Sequence, residues 1–397
     1  MMKVLVSGAS VAGPAVANWL GRYGYDVTVV EISPALREGG YAVDFRGPVN
    51  LEVLSRMGVL EDLKARQTGG SPMRFVDSAG RQLMRLPGEF AGGELEVLRS
   101  DLSRVLYEHS SDKASYRFGD SIASLTEHAG GVDVRFESGI GETYDLVIGA
   151  DGLHSIVRRL AFGPEKDYVR HLGYYIAGWE LPNTLGISGD ALLYNVPGRV
   201  ASVGPDRRDP AMAGTMFLFK SPELSYDRRD REQQKAIIAA AFADLGWHVP
   251  QLLEGLPAAT ELYFDSISRV DVDHWSTGRI VLLGDAGYGA TVGGMGTSTA
   301  VVASYILAGE LATAGGDYRA AFHRYEARLC KSVSKTQYGG NRTGKFLAPG
   351  TRFGIAARNR LLSQPFLLNQ MLKAGQKVSN LVELPDYSVE QRQFVQE

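Results

Sequence analysis

The sequence predicts an α/β protein. A parallel-sheet domain assembled from discontinuous segments carries an inserted β-rich domain, and a helical segment closes the chain. Three observations lead there. The chain opens as strand, glycine loop, helix and strand; from about His171 to Val270 it breaks into short alternating runs between Gly, Pro and Asp turns; after Gly278 the α/β texture returns.

The elements follow in order. Lys3 to Ser7 is an apolar strand, and Pro14 to Leu20 begins a helix with proline in its first turn, where a missing N–H does no harm. Gly21 and Gly24 end that helix and Asp26 to Glu31 is the next strand, a βαβ opening that implies a parallel sheet. Val49 to Met57 reads as a helix closed by Gly58, Met73 to Leu86 as a hairpin with Ser78-Ala79-Gly80 at its tip, and Ser100 to His109 as a helix. Tyr144 to Gly149 is a further strand. Tyr174–Glu180, Asp190–Val196, Arg199–Val203, Thr215–Lys220 and Glu261–Ser268 have the pattern of an antiparallel sheet, interrupted by an amphipathic helix from Arg231 to Leu245. Ile280 to Leu283 is a buried strand that stops at Gly284-Asp285; a glycine-rich loop and an apolar helix from about Thr297 follow. Residues 318 to 397 read as mainly helical, with an irregular stretch around Gly339 to Gly354.

Composition narrows the function. The 397 residues are 44% hydrophobic, enough for a large core and two domains. A net charge of −3 argues against a nucleic-acid partner. The single cysteine, Cys330, excludes an intrachain disulfide and a cysteine-rich metal site, which fits a reducing cytoplasm. No signal peptide is expected, since residue 3 already begins a strand, and no stable membrane insertion, since Thr299 to Ala312 holds Ser304 and Glu310 and is too short to span a bilayer. No metal-ligand or Ser/His/Asp spacing stands out.

Three motifs carry the chemistry. Gly8-Ala9-Ser10-Val11-Ala12-Gly13 lies between strand and helix, where a dinucleotide fingerprint belongs, with Glu31 ending the second strand to accept ribose hydroxyls. Ser10 replaces the second glycine of that pattern. The alternative is an ordinary βα turn with two glycines. Next, Asp145 to Arg158 is a strand ending in Ala150-Asp151-Gly152, then a short helix with Ser155 and Arg158; read alone, Asp151 is a helix cap and Arg158 its surface partner. Last, Gly284-Asp285 and the glycines of 287 to 296 form a strand–loop–helix unit whose N–H groups suit an anion.

Together, in this order, the motifs resemble the class A FAD-dependent aromatic and polyketide monooxygenases, the family of para-hydroxybenzoate hydroxylase; in size the chain is close to the tetracycline-inactivating members. Gly39 to Gly47 looks like the family's flavin-proximal segment and Arg99 like its FAD-contacting arginine, so the likeness spans residues 3 to about 325. It implies a discontinuous Rossmann-like FAD-binding domain (1–72, 96–170 and 271–325), a β-sheet substrate domain (73–95 and 171–270) and a C-terminal helical segment (326–397) that bridges them. The implied cofactor-binding residues are Gly8, Ser10, Val11, Ala12, Gly13, Glu31, Arg99, Asp151, Asp285, Gly294, Met295 and Gly296, with Asp285 on the ribityl chain and the loop at 293–296 at the pyrimidine edge. Asp151 is implied to serve both FAD and the nicotinamide nucleotide. The sequence departs from the family at Gly287-Tyr288, where Ala-His is frequent, and lacks the proline that usually follows.

The implied reaction is oxygenation of a phenolic or polyketide-like molecule of secondary metabolism, using NADPH or NADH and O2. Oxygen adds at C4a of reduced flavin and the hydroperoxide gives its distal oxygen to the substrate, as hydroxylation or as ring insertion. Arg46 and Tyr194 are the candidates to touch substrate or flavin. Tyr174, Tyr175, Trp179, Tyr194, Phe217 and Phe219 could line an aromatic pocket, against the plainer reading that most are sheet core. A flavin oxidase or reductase on the same fold, or a redox-silent FAD-binding protein, are the competing readings. The expected assembly is a monomer or a homodimer.

Overall fold

The computed structural model describes residues 1–37, 41–290, 296–371 and 382–387. A six-stranded sheet lies at its centre in the order Ser276–Thr277, Ile280–Leu282, Leu146–Gly149, Lys3–Ser7, Asp26–Glu31, Ser115–Phe118, parallel except for the short first hairpin. Lys3–Ser7 is almost wholly buried, as expected of a strand covered on both faces. One face is covered by the helices Ala12–Arg22, Gly47–Met57, Arg99–Glu108 and Gly296–Ala312, with Val6, Val16, Leu20, Val29, Ile306 and Leu307 in a common core. On the other face lies a three-stranded antiparallel sheet, Ile122–His128, Gly131–Phe136 and Gly141–Tyr144, packed through Val134, Phe136 and Tyr144.

Sequence reading passed over the strands between 115 and 144 and joined Tyr144 to Gly149 as one. The chain divides there: Tyr144 belongs to the three-stranded sheet and Leu146 to the parallel one. Between them the Asp145 carboxylate accepts from the Lys3 amide at 2.6 Å, which fixes the crossing.

A seven-stranded sheet is built from Leu262–Val270, Val169–Pro182, Met212–Lys220, Arg199–Pro205, Ala191–Val196, Met73–Val76 and Gln82–Leu86, in that order. The hairpin at 73–86 turns where the Asp77 carboxylate accepts the Ala79 and Arg81 amides, both at 2.9 Å. Alternation along these strands separates two faces. Tyr175, Ala177, Trp179, Phe217 and Phe219 pack under the helices Arg231–Phe242 and Val249–Glu254; Tyr174, Ile176, Leu193, Leu218 and Ile267 point the opposite way.

The irregular stretch expected at 339–354 is largely helix: Tyr318–Leu347 runs unbroken through it and the chain turns only at Ala348 to Thr351. Gly344 is there because the helix presses on the sheet, where any Cβ would strike the Tyr174 ring. Close approach outweighs the roughly 1 kcal/mol that glycine costs in a helix.

Candidate functional site

The C-terminal ends of the parallel strands are stitched together one residue beyond the ladder. Gly8 donates to the Val30 carbonyl at 2.7 Å, Ala150 to Ser7 at 2.8 Å and Leu283 to Gly149 at 2.9 Å. These bonds gather the three motifs at one crevice, where open α/β sheets bind ligands. Gly8 has φ +104°, and a Cβ there would come within 2.5 Å of the Ala150 carbonyl oxygen, so only glycine lets the two loops meet. Gly13 likewise has no room for a side chain against the Gly8 carbonyl.

The Ala12–Arg22 helix starts at Val11 with no side-chain cap and no acid in its first turn, leaving N-terminal amides available to an anion. Glu31 stands beside it, accepting from the Ala9 amide at 2.8 Å and the Ser33 amide at 3.0 Å, which fixes the carboxylate and leaves lone pairs open. Arg99 begins the Arg99–Glu108 helix and donates to the Ser10 hydroxyl at 3.2 Å. It also acts electrostatically on Asp285. That carboxylate is solvent-accessible, yet protein surrounds it closely enough for desolvation to push its pKa up, against the pull of Arg99. Asp285 thus lies in the crevice outside the strand ends, just past the Ile280–Leu282 strand. Gly296, first residue of the Gly296–Ala312 helix, is tight against the Asp285 carboxylate. The expectations at Gly39, Gly40 and Gly293 to Met295, which include Gly294, lie outside the described residues.

Ser155 caps the Ile156–Ala161 helix, accepting from the Arg158 amide at 3.0 Å, and Asp151 supports its first turn. Asp151 accepts from the Ile156 amide at 2.8 Å, the Val157 amide at 3.1 Å, the Ser7 hydroxyl at 3.2 Å and the Ser155 hydroxyl, the last a close contact. Burial raises its pKa despite those donors. Arg158 is no surface partner: it is fully buried and donates to the Ala286 carbonyl at 2.8 Å and the Leu153 carbonyl at 2.6 Å, tying the second motif to the third. Polar partners on both motifs draw it inside, and sequence spacing cannot show them. Beyond it, His154 lies 3.2 Å from Glu165 and 3.3 Å from Asp265, and Arg228 reaches Glu165 at 2.7 Å. Burial lowers the His154 pKa, but the two carboxylates carry it above the usual value; Glu165, pushed up by burial, is brought down to about 2 by His154 and Arg228. This latch joins the Asp151 loop to the Leu262–Val270 strand.

The unusual Gly287-Tyr288 pair has a packing explanation. Gly287 fits against Leu282, and Tyr288 is buried, its hydroxyl 2.8 Å from that of Tyr325 and its ring on Trp275. The Tyr325 hydroxyl in turn donates to the Leu282 carbonyl at 3.2 Å.

Most aromatic candidates fall on the wrong face of the sheet. Tyr175, Trp179, Phe217 and Phe219 are buried under the Arg231–Phe242 helix, and Tyr194 packs against Trp247 at 5.6 Å on that same outer side. Tyr174 points inward, but its hydroxyl donates to the Ala348 carbonyl at 3.2 Å. Arg46 is held by the buried Asp44 in a close ion pair and donates to the Phe90 carbonyl at 2.9 Å. The inner face instead presents Tyr41, Phe90, Met216 and Tyr263, all partly exposed. Tyr41 and Tyr263 meet edge to face at 5.3 Å, Gly178 leaves space for the Tyr41 hydroxyl, and Tyr263 is within electrostatic reach of Arg99 and Asp285. Tyr41 falls within the 39–47 segment expected near the flavin, although the sequence did not single it out there; Tyr263 was missed, and the period-2 pattern around it shows only which residues share its face.

A family model described as an FAD binding domain matches residues 1–328. A flavin-dependent monooxygenase of Legionella longbeachae is 37% identical over 392 residues, covering 97% of this chain and 98% of its own length. Among solved structures, the tetracycline destructase Tet(51) superposes with a TM-score of 0.85 at 34% identity, covering 98% of this chain and 99% of its own. Tet(55) does so with 0.84 at 37% identity and the same coverage.

Proposed function

This chain belongs to the FAD-dependent monooxygenases, and we propose that it oxygenates a phenolic or polyketide-like molecule held between the cleft and the inner face of the seven-stranded sheet. We further propose that NADPH or NADH is the reductant. Bound in the cleft, FAD supplies electron transfer and the activation of O2. The protein's part is to bind, orient and exclude water. The uncapped start of the Ala12–Arg22 helix takes the pyrophosphate, with Ser10 and Arg99 beside it; Glu31 accepts ribose hydroxyls and Asp285 accepts from the ribityl chain. The start of the Gly296–Ala312 helix, next to Asp285, favours negative charge on the ring system.

The observation that carries the substrate reading is the inner wall. Met216 and Tyr263 on the sheet, with Tyr41 and Phe90 packed against it, offer an apolar, aromatic surface suited to a flat fused-ring molecule, and Tyr263 is within electrostatic reach of Arg99 and Asp285. The names of the tetracycline destructases at 34% and 37% identity support a polyketide of that kind. The test is FAD-loaded protein with NADPH or NADH, O2 and a panel of phenols and polyketides including a tetracycline. Nucleotide consumption should rise with a panel member and match the product gaining one oxygen atom. Peroxide formed in equal amount to the nucleotide consumed, with no oxygenated product from any member, would overturn the substrate assignment and favour an oxidase.

A further inference from the structure

We propose that the C-terminal helices form a peripheral docking surface for an anionic lipid bilayer. Between Glu326 and Glu383 the sequence contains ten lysines and arginines and not one aspartate or glutamate. The whole chain has 42 basic against 45 acidic residues, so this excess is balanced by an acidic remainder. The charges are segregated, not mixed.

Eight of the ten lie among the described residues, and all of these but Arg358 are on open faces. Along Tyr318–Leu347, Lys331, Lys335, Tyr338, Arg342 and Lys345 recur every three or four residues and are all exposed, which makes one stripe. The next helix, Arg352–Leu362, is amphipathic in the outward sense. Arg358, Asn359 and Leu362 are buried, while Phe353, Ala357 and Leu361 form an exposed apolar row between Arg352 and Arg360. Phe353 is 83% exposed, and Phe366, in the helical residues 365–371, is 70% exposed. Arg328 pairs with Glu310 at 2.5 Å; among the described residues no carboxylate lies within ion-pair distance of Lys331, Lys335, Arg342, Lys345, Arg352 or Arg360.

Cations flanking exposed Phe and Leu match the two layers of a bilayer interface: phosphates for the arginines and lysines, acyl chains for the rings. A nucleic acid would use the cations but gain little from the Phe353–Leu361 row. No helix among the described residues is long and apolar enough to cross a membrane, so the contact is along the surface.

The experiment sediments the full-length, FAD-loaded protein with phosphatidylcholine vesicles and with phosphatidylcholine–phosphatidylglycerol vesicles, at low and high salt. Binding is expected to the anionic vesicles and to be released by salt. Lys331→Glu, Lys335→Glu and Lys345→Glu combined should weaken it roughly tenfold or more. Phe353→Ser with Phe366→Ser should weaken it also at low salt, while the flavin absorbance and melting temperature show that both variants fold. Equal binding to both vesicle types, binding to neither, or salt-sensitive binding to duplex DNA with none to vesicles would overturn the proposal.

Discussion

Arg99 and Asp285 come from segments far apart in sequence, yet they share one cleft with Ser10. Desolvation raises the Asp285 pKa, and Arg99 opposes that shift. Replacing Arg99 by Ala removes a charge-assisted donor, and Asp285→Asn removes an ionised acceptor. Each is expected to weaken FAD binding tenfold to a hundredfold, roughly the 1.5–3 kcal/mol of a hydrogen bond to a charged group. Fluorescence titration of the apoprotein with FAD measures this, and unchanged affinity in both variants would refute their placement on the cofactor. The two tyrosines singled out on opposite sheet faces should behave differently. Tyr263→Phe is expected to raise KM for substrate or the share of uncoupled peroxide with little change in melting temperature, whereas Tyr194→Phe should leave turnover unaltered. Asp285 and Ser10 were legible because a motif fixes their place relative to a strand end. Tyr194 was misplaced because alternation tells which residues share a face, not which face looks at the cleft.

Among the elements, the Asp285–Tyr288 turn and the Asp151 loop are held by groups that motif reading assigned elsewhere or passed over. Tyr288 secures the first through Tyr325. Tyr288→Phe should lower stability by about 1 kcal/mol, because Tyr325 keeps its bond to Leu282; a melt shows it as a small fall in Tm. The His154–Glu165–Asp265 latch makes the second loop pH-dependent. Glu165 has a folded pKa of about 2 against 4.5 unfolded, so its contribution is complete above pH 4.5 and is lost as pH falls toward 2. His154 is raised above 6.5, so its contribution is complete below that pH and is lost as pH rises through the folded value. Melting temperature against pH should therefore fall on both sides of a plateau near pH 5 to 6. His154→Gln should flatten the alkaline side and also lessen the fall on the acid side, since His154 helps to hold the Glu165 pKa down; an identical profile in the variant would remove the latch from the explanation. The strands and long helices were readable from period alone. The meander at 122–144 was not, since its short strands are half exposed, and the continuation of Tyr318–Leu347 was hidden by its glycines, of which Gly344 is required by the Tyr174 ring.

For the whole molecule, the parallel sheet supplies a crevice lined by loop amides and the seven-stranded sheet supplies an apolar wall opposite it. Neither alone encloses a substrate. The order of motifs was enough to indicate the FAD-binding half, because its loops must approach a phosphate closely and only certain residues permit that. The seven-stranded sheet obeys packing rules that many sequences satisfy, so which residues share its inner face became readable only once the strands were in register. The C-terminal charge segregation could be counted in the sequence, but its exposure could not. An oxygen atom from O2 is expected to enter the organic substrate. This is tested most directly by running the coupled reaction under isotopically heavy O2 in ordinary water and weighing the product by mass spectrometry. One heavy oxygen atom per product molecule is the expected result; product oxygen drawn from water, or heavy label found only in peroxide, would contradict it.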